Sequence, residues 1–226
     1  ALWREAQFDL APTVTSSAFD GQDDRIFRVI ASTRDYARKS ARFHAERLGL
    51  RRLAVVLDEN NQAFTQRWLD DFQAEFGRFG GRIISQVSFD LQAMPSFVQL
   101  AAGALASQPD GLLILANAAD TALLVQQVRK RAPELPVLTS EWSATDAFLS
   151  MAGGAAEGVR QTQFIDRASS AVAYRDFVSR FRHRFGREPG FPEVAAYDAA
   201  RVVLQALDAR RDGEDIKQTL LRVGRF

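Results

Sequence analysis

The chain has 226 residues, 46% of them hydrophobic, enough for one large domain or two small ones. Lys and Arg number 29 against 28 Asp and Glu, a net charge of +1, so the chain has no field for holding a polyanion and no nucleic-acid partner is expected. No cysteine is present, which removes disulfides, thiolate catalysis and thiolate metal sites together.

Residues 1–31 hold a turn-rich stretch from Pro12 to Ser17 and one short strand candidate at 26–30. Residues 33–48 read as a helix, with Ala37, Ala41, His44 and Leu48 at helical spacing and Gly49 stopping it. The run 53–57 is continuously apolar and closes on Asp58, Glu59, Asn60 and Asn61. Residues 62–79 follow as a helix with Trp68, Leu69, Phe72, Phe76 and Phe79 on one stripe, a pattern that marks a core face. A second strand is expected at 83–89, a helix at 95–107, and a third strand at 111–116 closed by Asn117. A helix at 120–132 ends before Pro133, and a fourth strand at 137–140 is closed by Glu141. Gly153, Gly154 and Gly158 allow a tight turn into the last strand of this region.

Short apolar runs separated by helices are the signature of a parallel sheet covered on both faces. The fold class is therefore α/β, with a doubly wound parallel sheet. Ligands in such sheets bind outside the carboxyl ends of the strands, so the polar residues closing each run are the first candidates for function.

Residues 170–226 differ in kind, reading as three helices with almost no strand between them. Tyr174, Phe177, Val178, Phe181 and Phe185 stripe the first, Ala199, Val202, Val203 and Ala206 the second, and Ile216, Leu220 and Val223 the third. Such faces need a partner surface, and the terminal segments offer little sheet to cover them. A second lobe is expected to be present but incomplete.

No run reaches the roughly 18–20 apolar residues needed to cross a bilayer. Ala1, Leu2, Trp3 and Arg4 have neither the charged region nor the apolar core of a signal peptide, so any export signal is expected outside this chain. His44 and His183 are the only histidines, far apart and each amid charged residues, and no metal site is expected from them. Asp58 and Glu59 are adjacent, so their side chains do not naturally converge as a catalytic pair. The same acidic turn stands where a dinucleotide phosphate would need N–H groups. No cofactor and no enzymatic activity are expected.

Several motifs together resemble the type I periplasmic solute-binding proteins, the leucine/isoleucine/valine-binding group of ABC-transporter receptors. They are Pro12 to Ser16 followed by Phe27, Arg28 and Val29; Leu57 and Asp58 with the aromatic Phe64; and Pro109, Asp110 and Gly111. Ser140, Glu141 and Trp142 continue the series, followed by Gly153 through Gly158. Phe185 to Pro189, and Ala195 to Ala199 around Tyr197 and Asp198, complete it. The resemblance implies two doubly wound lobes closing on a small ligand. It places residues 33–163 in the second, complete lobe and residues 1–32 and 164–226 in a partial first lobe. It departs from the family in lacking the first part of that first lobe.

The resemblance implies extracytoplasmic binding of a small polar solute, an amino acid or related carboxylate, for uptake through a membrane permease. The alternative is a ligand-sensing domain fused to a membrane receptor kinase or similar signalling protein. Glu141 matches the acidic residue that pairs with a ligand ammonium; otherwise it is a solvated loop glutamate. Thr13 and Thr15 match the turn that holds a ligand head group, or form an ordinary hydroxyl-rich turn. Phe64 matches a ring that covers the ligand, or begins the core of its helix. Asn117 either lends amide hydrogen bonds or forms the strand-to-helix turn, and Trp142 either walls the pocket or packs between lobes. Asp120 is expected to cap its helix.

Overall fold

The computed structural model describes residues 9–224. In chain order the elements are β1 (Asp9–Leu10), β2 (Ile26–Phe27), α1 (Thr33–Arg47), β3 (Arg52–Asp58), α2 (Gln62–Arg78), β4 (Arg82–Phe89) and α3 (Phe97–Leu105). They continue as β5 (Gly111–Leu115), α4 (Ala118–Arg131), β6 (Val137–Thr139), α5 (Asp146–Ala152), β7 (Arg160–Gln161), α6 (Val172–Phe185), α7 (Phe191–Asp208) and α8 (Ile216–Val223). The chain divides into two units. One is Thr33–Gln163, and the other is built from the segments before and after it.

In the Thr33–Gln163 unit, five strands pair in the order β4-β3-β5-β6-β7, every pairing parallel. The continuous apolar runs are explained by burial on both faces: β5 is wholly buried, and β3 is buried from Leu53 onward. Because strand side chains alternate between faces, each run is divided between two cores. Leu53, Val55, Leu57, Leu113, Leu115 and Leu138 face α1 and α2, against Ala37, Ala41, Trp68, Leu69, Phe72 and Phe76. Ala54, Val56, Leu112, Ile114 and Val137 face the other layer, against α3, α4 and α5. The stripe expected on α2 is the core face, with Trp68 stacked on Phe72 at a centroid distance of 5.4 Å and Phe72 against Phe76 at 5.2 Å.

Asp110 fastens the amino ends of the two central strands together. Its carboxylate accepts the backbone N–H groups of Arg51 and Arg52 at 3.0 and 2.9 Å. Gly111 follows because a Cβ there would lie 2.8 Å from Leu53 Cδ2. Two elements escaped the sequence reading. Helix α5 is only seven residues long, too short to show periodicity, and β1 has two residues.

His44 lies on the inward stripe expected from its spacing with Ala37 and Ala41, although its sequence neighbours are charged. It is 4% exposed.

In the other unit, β1 and β2 form a two-residue parallel pair. Phe177 of α6 stacks on Tyr197 of α7 at 4.3 Å, while Arg180 donates to the Tyr197 hydroxyl at 2.8 Å. Helix α8 starts with a capping box of Asp215 and Gln218, and its Lys217 reaches Asp23 and the carbonyl of Asp24. A cavity of about 600 Å³ opens beside the strand pair, lined by Leu10, Phe27, Val29, Val202 and Leu220 among others. The helical stripes are better covered than the scarcity of sheet suggested: Phe177, Ala199, Ala206 and Leu220 are buried, and of the stripe residues only Phe185 is more than half exposed.

Candidate functional site

In a parallel sheet of this order the connection from β3 leads to β4 on one side, and the connection from β5 leads to β6 on the other. The crevice at the carboxyl ends of β3 and β5 is therefore the topological switch point. Three polar strand endings lie along this edge: Asp58 as the last residue of β3, Asn117 after β5 and Glu141 after β6.

Asp58 is 1% exposed. Its Oδ1 accepts the backbone N–H of Asn60 at 2.8 Å and the Asn60 amide at 2.7 Å, so Asn60 closes the strand-to-helix turn. Thr65 donates to the Asp58 carbonyl at 2.8 Å, fixing the start of α2. Asn117 is the N-cap of α4. Its amide oxygen accepts from the N–H groups of Ala119 and Asp120 at 2.9 and 3.0 Å, and its Nδ2 donates to Asp120 Oδ2 at 2.6 Å. The cap expected of Asp120 thus falls to Asn117, because α4 begins at Ala118, two residues before the expected start at 120. Burial holds the Asp120 carboxyl above its ordinary range, opposed by the Asn117 hydrogen bond and reinforced by the nearby Asp58 charge.

Glu141 opens a short 3₁₀ turn, Glu141–Ser143, and is 1% exposed, so it is not a solvated loop residue. Its Oε2 accepts the indole N–H of Trp68 at 3.0 Å and the hydroxyl of Thr162 at 3.1 Å. Its Oε1 is buried with no partner. Burial raises its pKa, offset by hydrogen bonds from its own backbone, Trp68 and Thr162. Three hydroxyls in the same segment, Thr139 Oγ1, Ser140 Oγ and Thr145 Oγ1, are also buried without partners. Ser143 is satisfied, donating to the Ser140 carbonyl at 3.1 Å and accepting from Gln161 Nε2 at 3.2 Å. Buried polar atoms are almost always hydrogen-bonded, so four unpartnered ones within residues 139–145 set this segment apart.

Trp142 and Phe64 meet edge to face at 5.5 Å, each half-buried. The structure thus brings Phe64 into contact with Trp142, next in sequence to Glu141, while the amide of Asn117 is committed to its helix. Thr13 and Thr15 belong to the other unit, after β1; Thr13 is exposed and Thr15 half-buried. Their turn is braced by Arg28, which donates to the Ser16 carbonyl at 3.0 Å and pairs with Asp20 at 2.5 Å. Among the described residues no His, Cys, Asp or Glu cluster could hold a metal ion, and no helix is long and apolar enough to cross a membrane.

Sequence reasoning missed Trp68 and Thr162. A signal for Trp68 was available, since it alone in a stripe of Leu and Phe carries an N–H that needs a partner when buried. Nothing local marks Thr162.

An open all-parallel sheet, wound on both faces and ending in a recessed polar edge, defines a ligand-binding α/β architecture. The chain belongs to the periplasmic binding protein family, whose sequence profile matches residues 7–226. No curated protein matches it. Its fold is the type I periplasmic binding fold. The leucine binding protein LivK of Thermotoga maritima superposes with a TM-score of 0.80 at 22% identity, over 95% of this chain and 60% of that one. LivJ of Streptococcus pneumoniae, a branched-chain amino acid transporter substrate binding protein in complex with isoleucine, gives 0.76 at 14%, over 93% and 59%. An ABC transporter solute binding protein of R. palustris in complex with benzoate gives 0.71 at 17%, over 88% and 54%. The chain therefore spans less than two thirds of the length of these structures.

Proposed function

We propose that this chain is the ligand-binding part of a non-enzymatic extracytoplasmic receptor, which takes an amino acid for ABC-type uptake through a membrane permease. Membership of the periplasmic binding protein family supports the class, and similarity to a leucine binding protein and to a substrate binding protein in complex with isoleucine supports the ligand type. The observation that carries the reading is Glu141, a buried carboxylate at a strand tip with Oε1 unpartnered. Removing a carboxylate from water costs several kcal/mol unless donors replace the lost hydration. An ammonium supplies both a donor and the opposite charge. Phe64 and Trp142 add an apolar corner beside it, suited to an aliphatic or aromatic ligand side chain.

The test is calorimetric titration and thermal shift of the chain with L-leucine, L-isoleucine, L-phenylalanine and benzoate. An amino acid at one hundred times its Kd should stabilise the fold by about 2.7 kcal/mol, and Glu141→Gln should abolish that response. Benzoate lacks an ammonium. A response to benzoate alone, unchanged in Glu141→Gln, would replace the amino-acid reading with that of a carboxylate lacking an amine.

A further inference from the structure

We infer that Trp68 and Thr162 are positioning residues, which commit one oxygen of Glu141 so that the other is presented as a single acceptor for a ligand N–H. The inference deepens the proposed function and rests on its assignment of the ammonium to Glu141. A carboxylate has two equivalent oxygens and about four acceptor sites, so a free Glu141 side chain could turn either oxygen toward a ligand. Here both side-chain donors fall on Oε2, and Oε1 is left bare.

The donors come from opposite sides of the sequence, 73 residues before Glu141 and 21 after it. Each is rigidly placed. Trp68 is fully buried and stacked on Phe72, so its indole cannot swing away, and Thr162 follows β7 directly. The stripe on α2 needs only bulk at this position, yet it carries the one aromatic side chain that is an obligatory N–H donor.

Among the described residues no charged side chain does this work instead. Arg67 and Asp71 of α2 pair with each other, and Arg160 of β7 bonds to the Gly158 carbonyl. Asp58 and Asp120 lie on the neighbouring strand endings with the partners given above. None of them hydrogen-bonds or pairs with Glu141, so Trp68 and Thr162 are the side chains that orient it, and with its own backbone N–H they stabilise its charge.

The experiment follows the ¹³C carboxyl resonance of Glu141 against pH in the ligand-free chain, and L-leucine binding by calorimetry. The variants are Trp68→Phe, which keeps a ring and removes the N–H, and Thr162→Val, which keeps the shape and removes the hydroxyl. Each should raise the Glu141 titration midpoint by about one pH unit, the loss of one hydrogen bond to a charged group. Each should also weaken L-leucine about tenfold, with the pH at which binding is half lost moving up in parallel. Thr162→Val, a smaller change near the surface, keeps the test open should Trp68→Phe fold poorly. Titration midpoints equal to wild type overturn the inference, whether or not leucine binds. Raised midpoints with undiminished leucine affinity overturn it as well, provided Glu141→Gln abolishes binding. Leucine binding that survives Glu141→Gln removes instead the assignment of the ammonium to Glu141.

Discussion

Acidification from pH 7 to pH 4 should destabilise the Thr33–Gln163 unit through His44. The imidazole is 4% exposed. Its Nδ1–H donates to the Ser40 carbonyl at 2.6 Å, and Nε2 is buried with no partner. Protonation would place a second N–H, and a charge, where no acceptor waits. Burial accordingly lowers the pKa from 6.5 to about 4, opposed by the Ser40 hydrogen bond and assisted by the Arg160 charge. The sign follows from proton counting: between pH 6.5 and 4 the unfolded chain binds a proton that the native state refuses. Stability is then full above pH 6.5, falls as pH drops, and levels off below about 4. The shift of roughly 2.5 units, at 1.36 kcal/mol each, gives about 3 kcal/mol.

Other carboxylates titrate at the acid end of this window, so the assay is a difference measurement. Urea unfolding of the chain and of His44→Gln would be followed by circular dichroism from pH 4 to 7.5. Glutamine keeps a donor for the Ser40 carbonyl and does not titrate. The stability gap between the two proteins should change by about 3 kcal/mol across the range, in favour of the variant at low pH. Parallel curves would falsify the claim that His44 is held neutral by its surroundings.

Two further outcomes concern stability. Because burial raises the Glu141 pKa, the native state keeps a proton that the unfolded chain has lost. This contribution is greatest below the ordinary carboxylate range and fades as pH rises through the native value. Glu141→Gln should therefore raise ligand-free stability at pH 8 by about 1 kcal/mol while removing ligand response; a melting temperature lower than wild type at pH 8 would contradict the burial argument. Gly81→Ala should destabilise by about 1–3 kcal/mol, since the added Cβ would sit 2.3 Å from the ring of Phe76, itself fully buried. Denaturant midpoints report this directly, and an unchanged midpoint would show that the ring has room to move.

Alternation of apolar runs with helical stripes was enough to read from the sequence the α/β class, the parallel strands and the polar residues at their tips. It could do so because each run records locally which faces water cannot reach: Leu53 to Leu57 and Gly111 to Leu115 stay apolar only because both sides are covered. The position of Glu141 at a strand ending was legible for the same reason. Periodicity carries no address for a distant partner, however. That β3 lies between β4 and β5, that Trp68 donates to Glu141, and that one carboxylate oxygen is left bare were decided only by tertiary packing. The inward position of His44 was legible from its spacing with Ala37 and Ala41, but the lack of a partner for its Nε2 was decided by what packs around it.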